Sequence, residues 1–319
     1  MKKVYALLSA LLFVAYASIG AFGQVPADHS FSKSVSSHPR VRVVGYLAGR
    51  EPDFLSMLPP YPVFNFMQDE ADIATLRQWQ QPDDSLRWKL ANADVKMSYD
   101  RFAQAFATDI NPVDTPLLVH LLDRVEQDVQ GVAFLAKNFY NRPRPYQRFP
   151  MEHVCGADKA PAPEIPLKGG SSYPSGHTSF GWSAVLILAE VAPEQGQALL
   201  ARGREYGESR IVCAVHYPSD IVGGQLIATA VVARLQANAE FKRDLDCAKE
   251  EHSIAVHPGG ELSHACRQRE TQLGQMQAPM VESFPASPGL SCVGDAPDPA
   301  TPCALGPGSP QQAPTYNHP

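Results

Sequence analysis

The stretch TPLLVHLLDRVEQDVQGVAFLAKNFY, residues 115–140, constrains the fold more than any other part of the chain. Leu118, Leu121, Leu122, Val125, Val129, Val132, Ala136 and Phe139 recur mostly at three- and four-residue steps. That spacing places them on one face of a long helix. Thr115 is suited to cap it, and Pro116 fits its first position. Pro143 and Pro145 stop any continuation, because proline removes the donor a helix needs. Lys137 therefore falls in the last turns and Arg144 just beyond. An apolar stripe this long must be covered by other packed elements.

The sequence offers helices for that cover. A second helix is expected from near Thr178 to about Glu190, a third over Glu194 to Glu208, and a fourth from Pro218 toward Asn238. Alternating strand patterns are few and no internal repeat is visible. The expected fold class is all-α: a single helical-bundle domain whose loops carry the polar chemistry, with a disordered C-terminal tail. From about Thr271 the composition changes, and ten of the chain's 29 prolines lie between Pro279 and Pro319. Such a segment buries too little apolar surface to offset its ordering entropy. The expected organisation is a signal peptide at 1–23, an N-terminal extension at 24–49, a main helical domain at 50–245, a Cys-containing extension at 246–270 and a Pro-rich tail at 271–319.

The N-terminus, MKKVYALLSALLFVAYASIGAFGQ, has a basic start, a short apolar run and Ala21-Phe22-Gly23 as a small-x-small site. It reads as a signal peptide cut before Gln24, which sends the protein to the periplasm or outside the cell. No later stretch holds about 20 uninterrupted apolar residues, so no stable membrane insertion is expected. The formal charge of −6 argues against a nucleic-acid partner, which would need a basic face. The six cysteines, Cys155, Cys213, Cys247, Cys266, Cys292 and Cys303, suggest disulfides in an oxidising compartment. None has the C-x2-C spacing of a zinc site, and Cys292 and Cys303 could close a small local loop.

Three segments place unusual polar groups beside apolar helices: KNFYNRPRP, YPSGH at 173–177, and GESRIVCAVHYPSD. Lys137, Arg144 and Arg210 supply cations, and the two guanidinium forks suit phosphate oxygens. Ser175 offers a hydroxyl. The backbone N–H groups around Ser175, Gly176 and His177 sit at a helix start, where an anion is favoured, and Gly176 lets it approach. Asp220, in the first turn of the fourth helix, can accept the Nδ1–H of His216 and leave Nε2 free as a nucleophile. His177 has no acidic neighbour in sequence and is placed to donate a proton to a leaving oxygen. Alone, each piece has a plainer reading: a solvated cation at a helix end, a helix-face pair at HxxxD, a turn at PSG. The other eight histidines carry no such pattern.

Together, and in this order, the segments resemble the three signature blocks of the type 2 phosphatidic acid phosphatase superfamily, shared with vanadium haloperoxidases. Lys137 to Pro145 matches K-x6-R-P, residues 174–177 are P-S-G-H, and residues 209–220 match S-R-x5-H-x3-D. GSSYPSGHTSFGWSAVLILAEVAP, YGESRIVCAVHYPSD and LPPYP…QDEADIATLRQ look like one branch, the bacterial class A non-specific acid phosphatases. The resemblance spans roughly residues 50–245. It implies a helical homo-oligomer, a dimer or larger, that hydrolyses small phosphomonoesters with no cofactor and no metal. It also implies His216 as the nucleophile, His177 as the acid and Asp220 as the orienting carboxylate. Lys137, Arg144, Ser175, Gly176, His177 and Arg210 would hold the phosphate, and Cys155 would pair with Cys213. The sequence departs from the branch at Ala214-Val215-His216-Tyr217-Pro218, a form common in lipid-phosphatase relatives. A vanadate-dependent peroxidase and a lipid or isoprenyl-pyrophosphate phosphatase are therefore the alternatives on the same oxyanion site. A non-enzymatic binding protein is a further one, against which the complete set of ionisable site residues counts.

Overall fold

A computed structural model describes residues 43–60, 66–80, 82, 84–151, 153–155 and 170–277. The signal peptide, most of the N-terminal extension, Cys292, Cys303 and the tail beyond 277 lie outside them. Among the described residues the regular structure is helical, with no strand. In chain order the helices are α1 (Phe54–Met57), α2 (Phe66–Gln78), α3 (Leu86–Ala93), α4 (Ala103–Phe106), α5 (Pro116–Tyr140) and α6 (Pro145–Arg148). Then follow α7 (Gly176–Val191), α8 (Gly196–Val212), α9 (Pro218–Leu235), α10 (Ala239–Val256) and α11 (His264–Gln277). Contacts divide the chain into two units, Met1–Gly274 and Gln275–Pro319; of the second, only the end of α11 is described.

The long stripe forms α5, and its Leu118, Leu121, Leu122, Val125, Val129, Val132 and Ala136 are buried. Phe139 differs from expectation: it is exposed, on the last turn, with one edge against Phe54 of α1. The cap also differs. The Thr115 hydroxyl bonds to Asn111 instead, and the Glu251 carboxylate of α10 accepts from Leu117 N and Leu118 N, each at 2.9 Å. A carboxylate from another helix thus meets the positive end of α5. The helix ends at Asn141, in the left-handed region at φ 45°.

Helix α7 is apolar nearly all round and is correspondingly enclosed, packing on α5, α8 and α9. Phe180, Val185, Ile187 and Leu188 lie in one core with Leu199 and Tyr206 of α8 and Ile227 and Val231 of α9. Helix α9 comes close to the start of α7. A Cβ on Gly224 would stand 2.6 Å from the carbonyl oxygen of Ser175 and 2.9 Å from Thr178 Cβ. That absence of a side chain lets the α9 backbone sit against the P-S-G-H turn, where Ser175 N donates to Asp220 O at 2.9 Å.

The compact unit extends on both sides of the expected 50–245 domain. Tyr46 and Leu47 are buried, with their N–H groups donated to Asp128 at 2.8 and 3.1 Å. On the other side, the Cys247–Cys266 disulfide ties α11 to α10, and Leu273 is buried with Leu117. Arg269 of α11 donates to Asp244 of α10 at 2.7 and 2.8 Å. Residues 271–277 therefore continue a helix where a disordered tail was expected, because Leu273 has an apolar site to fill.

The packing separates two glycines. Gly224→Ala should destabilise the protein by about 1–3 kcal/mol, since backbone cannot yield to the new methyl. Gly131→Ala, in α5 with nothing within 4 Å of its Cβ position, should instead stabilise by about 1 kcal/mol through helix propensity. Denaturant unfolding of both variants measures the contrast, and equal effects would refute the close approach at Gly224.

Candidate active site

The three sequence segments meet at the ends of α5, α7, α8 and α9. Lys137, in the last turn of α5, donates from Nζ to the carbonyl oxygen of Ser171 at 2.7 Å. A Cβ on Gly176 would stand 3.6 Å from Lys137 Cε, so glycine keeps the α7 turn close to this ammonium. The chain then leaves α5 as Arg-Pro-Arg-Pro. A residue before proline is pushed to extended backbone, and Arg144 has φ −74°, ψ 157°. Its guanidinium donates to Val215 O at 2.9 Å and Gly170 O at 3.3 Å, and meets His216 Nε2 at 3.2 Å.

Ser175 is the N-cap of α7. Its hydroxyl oxygen accepts from Thr178 N at 3.2 Å and Thr178 Oγ1 at 3.0 Å, which leaves its own proton to give. Among the described residues, the N–H groups of Gly176 and His177 have no partner, so the positive end of this 16-residue helix is open. Arg210 is buried near the end of α8, with Nη2 donating to Ala91 O at 2.9 Å and its Nε–H unused. Its carbonyl oxygen accepts from Val215 N and His216 N, both at 3.2 Å, and so fixes the tight link that carries His216. Ser209, one residue earlier, donates to the buried Asp94 at 2.7 Å and anchors this end of α8.

His216 and Asp220 are both buried, with Nδ1 3.2 Å from Asp220 Oδ2, as the HxxxD spacing predicts. The carboxylate can only accept at Nδ1, and Arg144 can only donate at Nε2. Both contacts are satisfied by the neutral imidazole with its proton on Nδ1. Burial, then the Arg144 charge, pulls His216 well below the ordinary histidine range, against the pull of Asp220. Asp220 is held below the carboxylate range despite burial, by its hydrogen bond to His216 and by Arg142.

His177 Nε2 lies 2.9 Å from Val95 O, so its proton sits on Nε2. Burial and Arg210 pull it down to about 3. The sequence suggests a protonated imidazole here; burial first, and then the charges of Arg210, Arg144 and Lys137, favour the neutral form instead. Lys137 is drawn down to about 7 by burial and by Arg144, and Arg210 to about 10 by burial. His177 and His216 both feel Lys137 and Arg144, which places the two imidazoles around one concentration of positive charge.

Sequence reasoning passed over several residues here. Arg142, two residues before Arg144, is fully buried and donates to Asp220 Oδ1 and Ser219 Oγ, each at 2.7 Å. Its other arm reaches Asp72 Oδ2 at 2.9 Å and Asp69 Oδ1 at 3.4 Å, both on α2. Ser172 donates to Asp220 Oδ2 and lies 3.4 Å from His216 Nδ1. The duplicated Arg-Pro and the acidic pair in QDEADIATLRQ were the available signals. Conversely, His120 and His153 stay outside the site, against Arg269 and Trp88.

Residues 128–242, which carry all the candidate cations and imidazoles, match the PAP2 superfamily. The chain belongs to that superfamily. Within it, the chain falls with the bacterial class A non-specific acid phosphatases, as the resemblance implied. A non-specific acid phosphatase of Providencia stuartii is 31% identical over 260 residues, covering 79% of this chain and 98% of the relative. An acid phosphatase of Zymomonas mobilis is 32% identical, covering 69% of this chain and 83% of the relative. A non-specific acid phosphatase of Salmonella typhimurium is 36% identical over 172 residues, covering 52% and 67%.

The disulfide Cys155–Cys213, expected from the resemblance, is present, and Arg210 Nη2 lies 3.0 Å from Cys213 Sγ. It closes a sequence separation of 58 residues, for which chain entropy gives about 4 kcal/mol. Cys155→Ala/Cys213→Ala should lose about that much in denaturant unfolding and raise KM by loosening Arg210. A variant with unchanged midpoint and KM would show the bridge to be incidental.

Proposed function

We propose that the protein is an exported acid phosphatase that hydrolyses phosphomonoesters through a phosphohistidine on His216, with no metal. The observation that carries this reading is the state of His216: a neutral imidazole braced at Nδ1 by Asp220, with Nε2 turned toward the cation cluster. Lys137, Arg144, Arg210, the Ser175 hydroxyl and the N–H groups of Gly176 and His177 take the phosphate oxygens. They meet the charge that phosphoryl transfer spreads over those oxygens. His216 Nε2 forms the P–N bond as the P–O bond to the alcohol breaks, and His177 gives the alcohol its proton. Water then attacks phosphorus, His177 takes a proton from it, and the P–N bond breaks. The positive charge comes from the chain's own side chains, which is the basis for reading the reaction as metal-independent. Export is supported by the two disulfides. The signal peptide cut before Gln24 and assembly into a homo-oligomer belong to the same reading. No described helix is long and apolar enough to cross a membrane, which favours small phosphomonoesters over bilayer lipids.

His216→Ala should cut p-nitrophenyl phosphate turnover by more than about 10,000-fold with an unchanged circular-dichroism spectrum. Substantial residual turnover would remove His216 as nucleophile.

The pH dependence follows from the shifted groups. With His177 at about 3, its imidazole in the free enzyme keeps only the Nε2 proton at working pH and has no second proton on Nδ1 to give. The proton for the leaving alcohol enters with the substrate, or after the dianion has raised His177. Either way kcat/KM falls as pH rises through the substrate's second pKa, near about 6. Lys137, at about 7, adds a second loss above neutrality that is the same for every substrate. An alkyl phosphate, with its higher second pKa, should hold kcat/KM to higher pH than p-nitrophenyl phosphate. Coincident alkaline limbs would contradict this proton route.

A further inference from the structure

Asp220 accepts from four donors: His216 Nδ1, Tyr217 N and Ser172 Oγ at Oδ2, and Arg142 at Oδ1. The first two lie within four residues of it, and a carboxylate held only locally can turn about its own axis. Arg142 comes from another segment and occupies the opposite oxygen. Its guanidinium is in turn held by Asp72 and Asp69 of α2 and lies 3.9 Å from the centre of the Tyr217 ring. Asp72 also accepts from the Ser219 backbone at 3.2 Å and from the Ser219 hydroxyl, so it grips α9 one residue before Asp220.

We infer that Arg142 is a positioning residue for the nucleophile: with Asp72 behind it, it locks the Asp220 carboxylate so that Oδ2 stays aimed at His216 Nδ1. This rests on the reading of His216 as the nucleophile. A purely structural ion would serve as well by joining α2 to α9, since buried ion pairs are often replaceable without loss of stability. The alignment is what sets Arg142 apart. One arm of a planar fork bonds the catalytic carboxylate while the other is anchored on a separate helix, a geometry that lysine cannot reproduce. The described hydrogen bonds of the Arg142 side chain go to Asp220, Ser219, Asp72 and Asp69, so its loss should slow chemistry more than it weakens substrate binding.

The test is the steady-state kinetics of Arg142→Gln, Arg142→Lys and Asp72→Asn on p-nitrophenyl phosphate, with folding checked by circular dichroism. Arg142→Gln should lower kcat about 10- to 100-fold, the scale of other groups that orient a catalytic ligand, with KM and the inhibition constant of inorganic phosphate within about 3-fold. Arg142→Lys should recover part of kcat by keeping a cation on Asp220. Asp72→Asn, nearly isosteric, should lower kcat by less, about 3- to 10-fold, again at constant KM. A folded Arg142→Gln enzyme with wild-type kcat, or one that loses only KM, overturns the inference. If Arg142→Gln does not fold, the same criteria applied to Arg142→Lys and Asp72→Asn decide. Loss of activity in His216→Ala with wild-type kcat in all three would sink this inference alone. Retained activity in His216→Ala would sink the nucleophile reading instead.

Discussion

Asp220 is a fully buried carboxylate with donors from the turn just before α9, from the loop after α5 and from the segment before α7. Taking such a charge out of water is costly unless it is paired and hydrogen-bonded, and breaking a buried pair costs roughly 3–5 kcal/mol. The chain meets that demand only when three stretches far apart in sequence arrive together. Ser172 must reach from before α7, and Arg142 from the end of α5 with α2 at its back. The same demand builds the site, because Lys137, Ser175 and His216 ride on those same stretches. Gly224 has the complementary part, letting α9 bring Asp220 to the Ser175 backbone.

Around this paired anion stand cations that bond to carbonyl oxygens but, among the described residues, make no salt bridge. Lys137, Arg144 and Arg210 are all shifted toward loss of charge by burial, and Arg144 pushes both Lys137 and His216 the same way. Like charges held together in a desolvated pocket are costly unless an anion joins them. On the proposed reading a tetrahedral dianion relieves that cost, and the relief grows as charge spreads over more oxygens in the transition state. On the proposed reading, the same cations explain how His216 could act as a nucleophile in acid. An unperturbed imidazole, near about 6.5, would be protonated and useless at pH 5. Burial and Arg144 keep Nε2 of His216 free there. In the proposed reaction, the bound dianion then favours a second proton on His177.

Much of this was legible in the sequence where the signal is local. The α5 stripe, the proline starts of α5 and α9 and the HxxxD pair are all set by residues within two turns of one another. The three cations were legible because they fall in motifs of fixed spacing. What stayed hidden is long-range pairing. Glu251 caps α5 from 134 residues away, so Thr115 was the only cap in view. Arg142 and Arg144 look alike in RPRP, and only the tertiary fold sends one to Asp220 and Asp72 and the other to His216. Leu273 fills a site with Leu117 and the Cys247–Cys266 bridge, a contact that composition at the edge of a proline-rich tail could not announce.

Neutral buried histidines also shape stability. His177 is near 3 when folded and near 6.5 when unfolded, so the unfolded chain binds the extra proton at acid pH. Its contribution to stability is lost as pH falls below about 6.5, by roughly 2 kcal/mol at pH 5; His216 acts with the same sign. Asp220, depressed when folded, works in a different window: its contribution is present above its unfolded value and is lost only as pH falls toward its much lower folded one. Below about 6.5 but above the range where Asp220 begins to protonate, where an acid phosphatase operates, the histidines weaken the fold while Asp220 still holds its charge. The Cys155–Cys213 bridge acts in that interval, because it restricts the unfolded chain and has no proton to lose. The loop it closes contains His177, α7 and α8, and ends three residues before His216. The constraint falls on the stretch that carries the imidazoles whose neutrality makes it necessary.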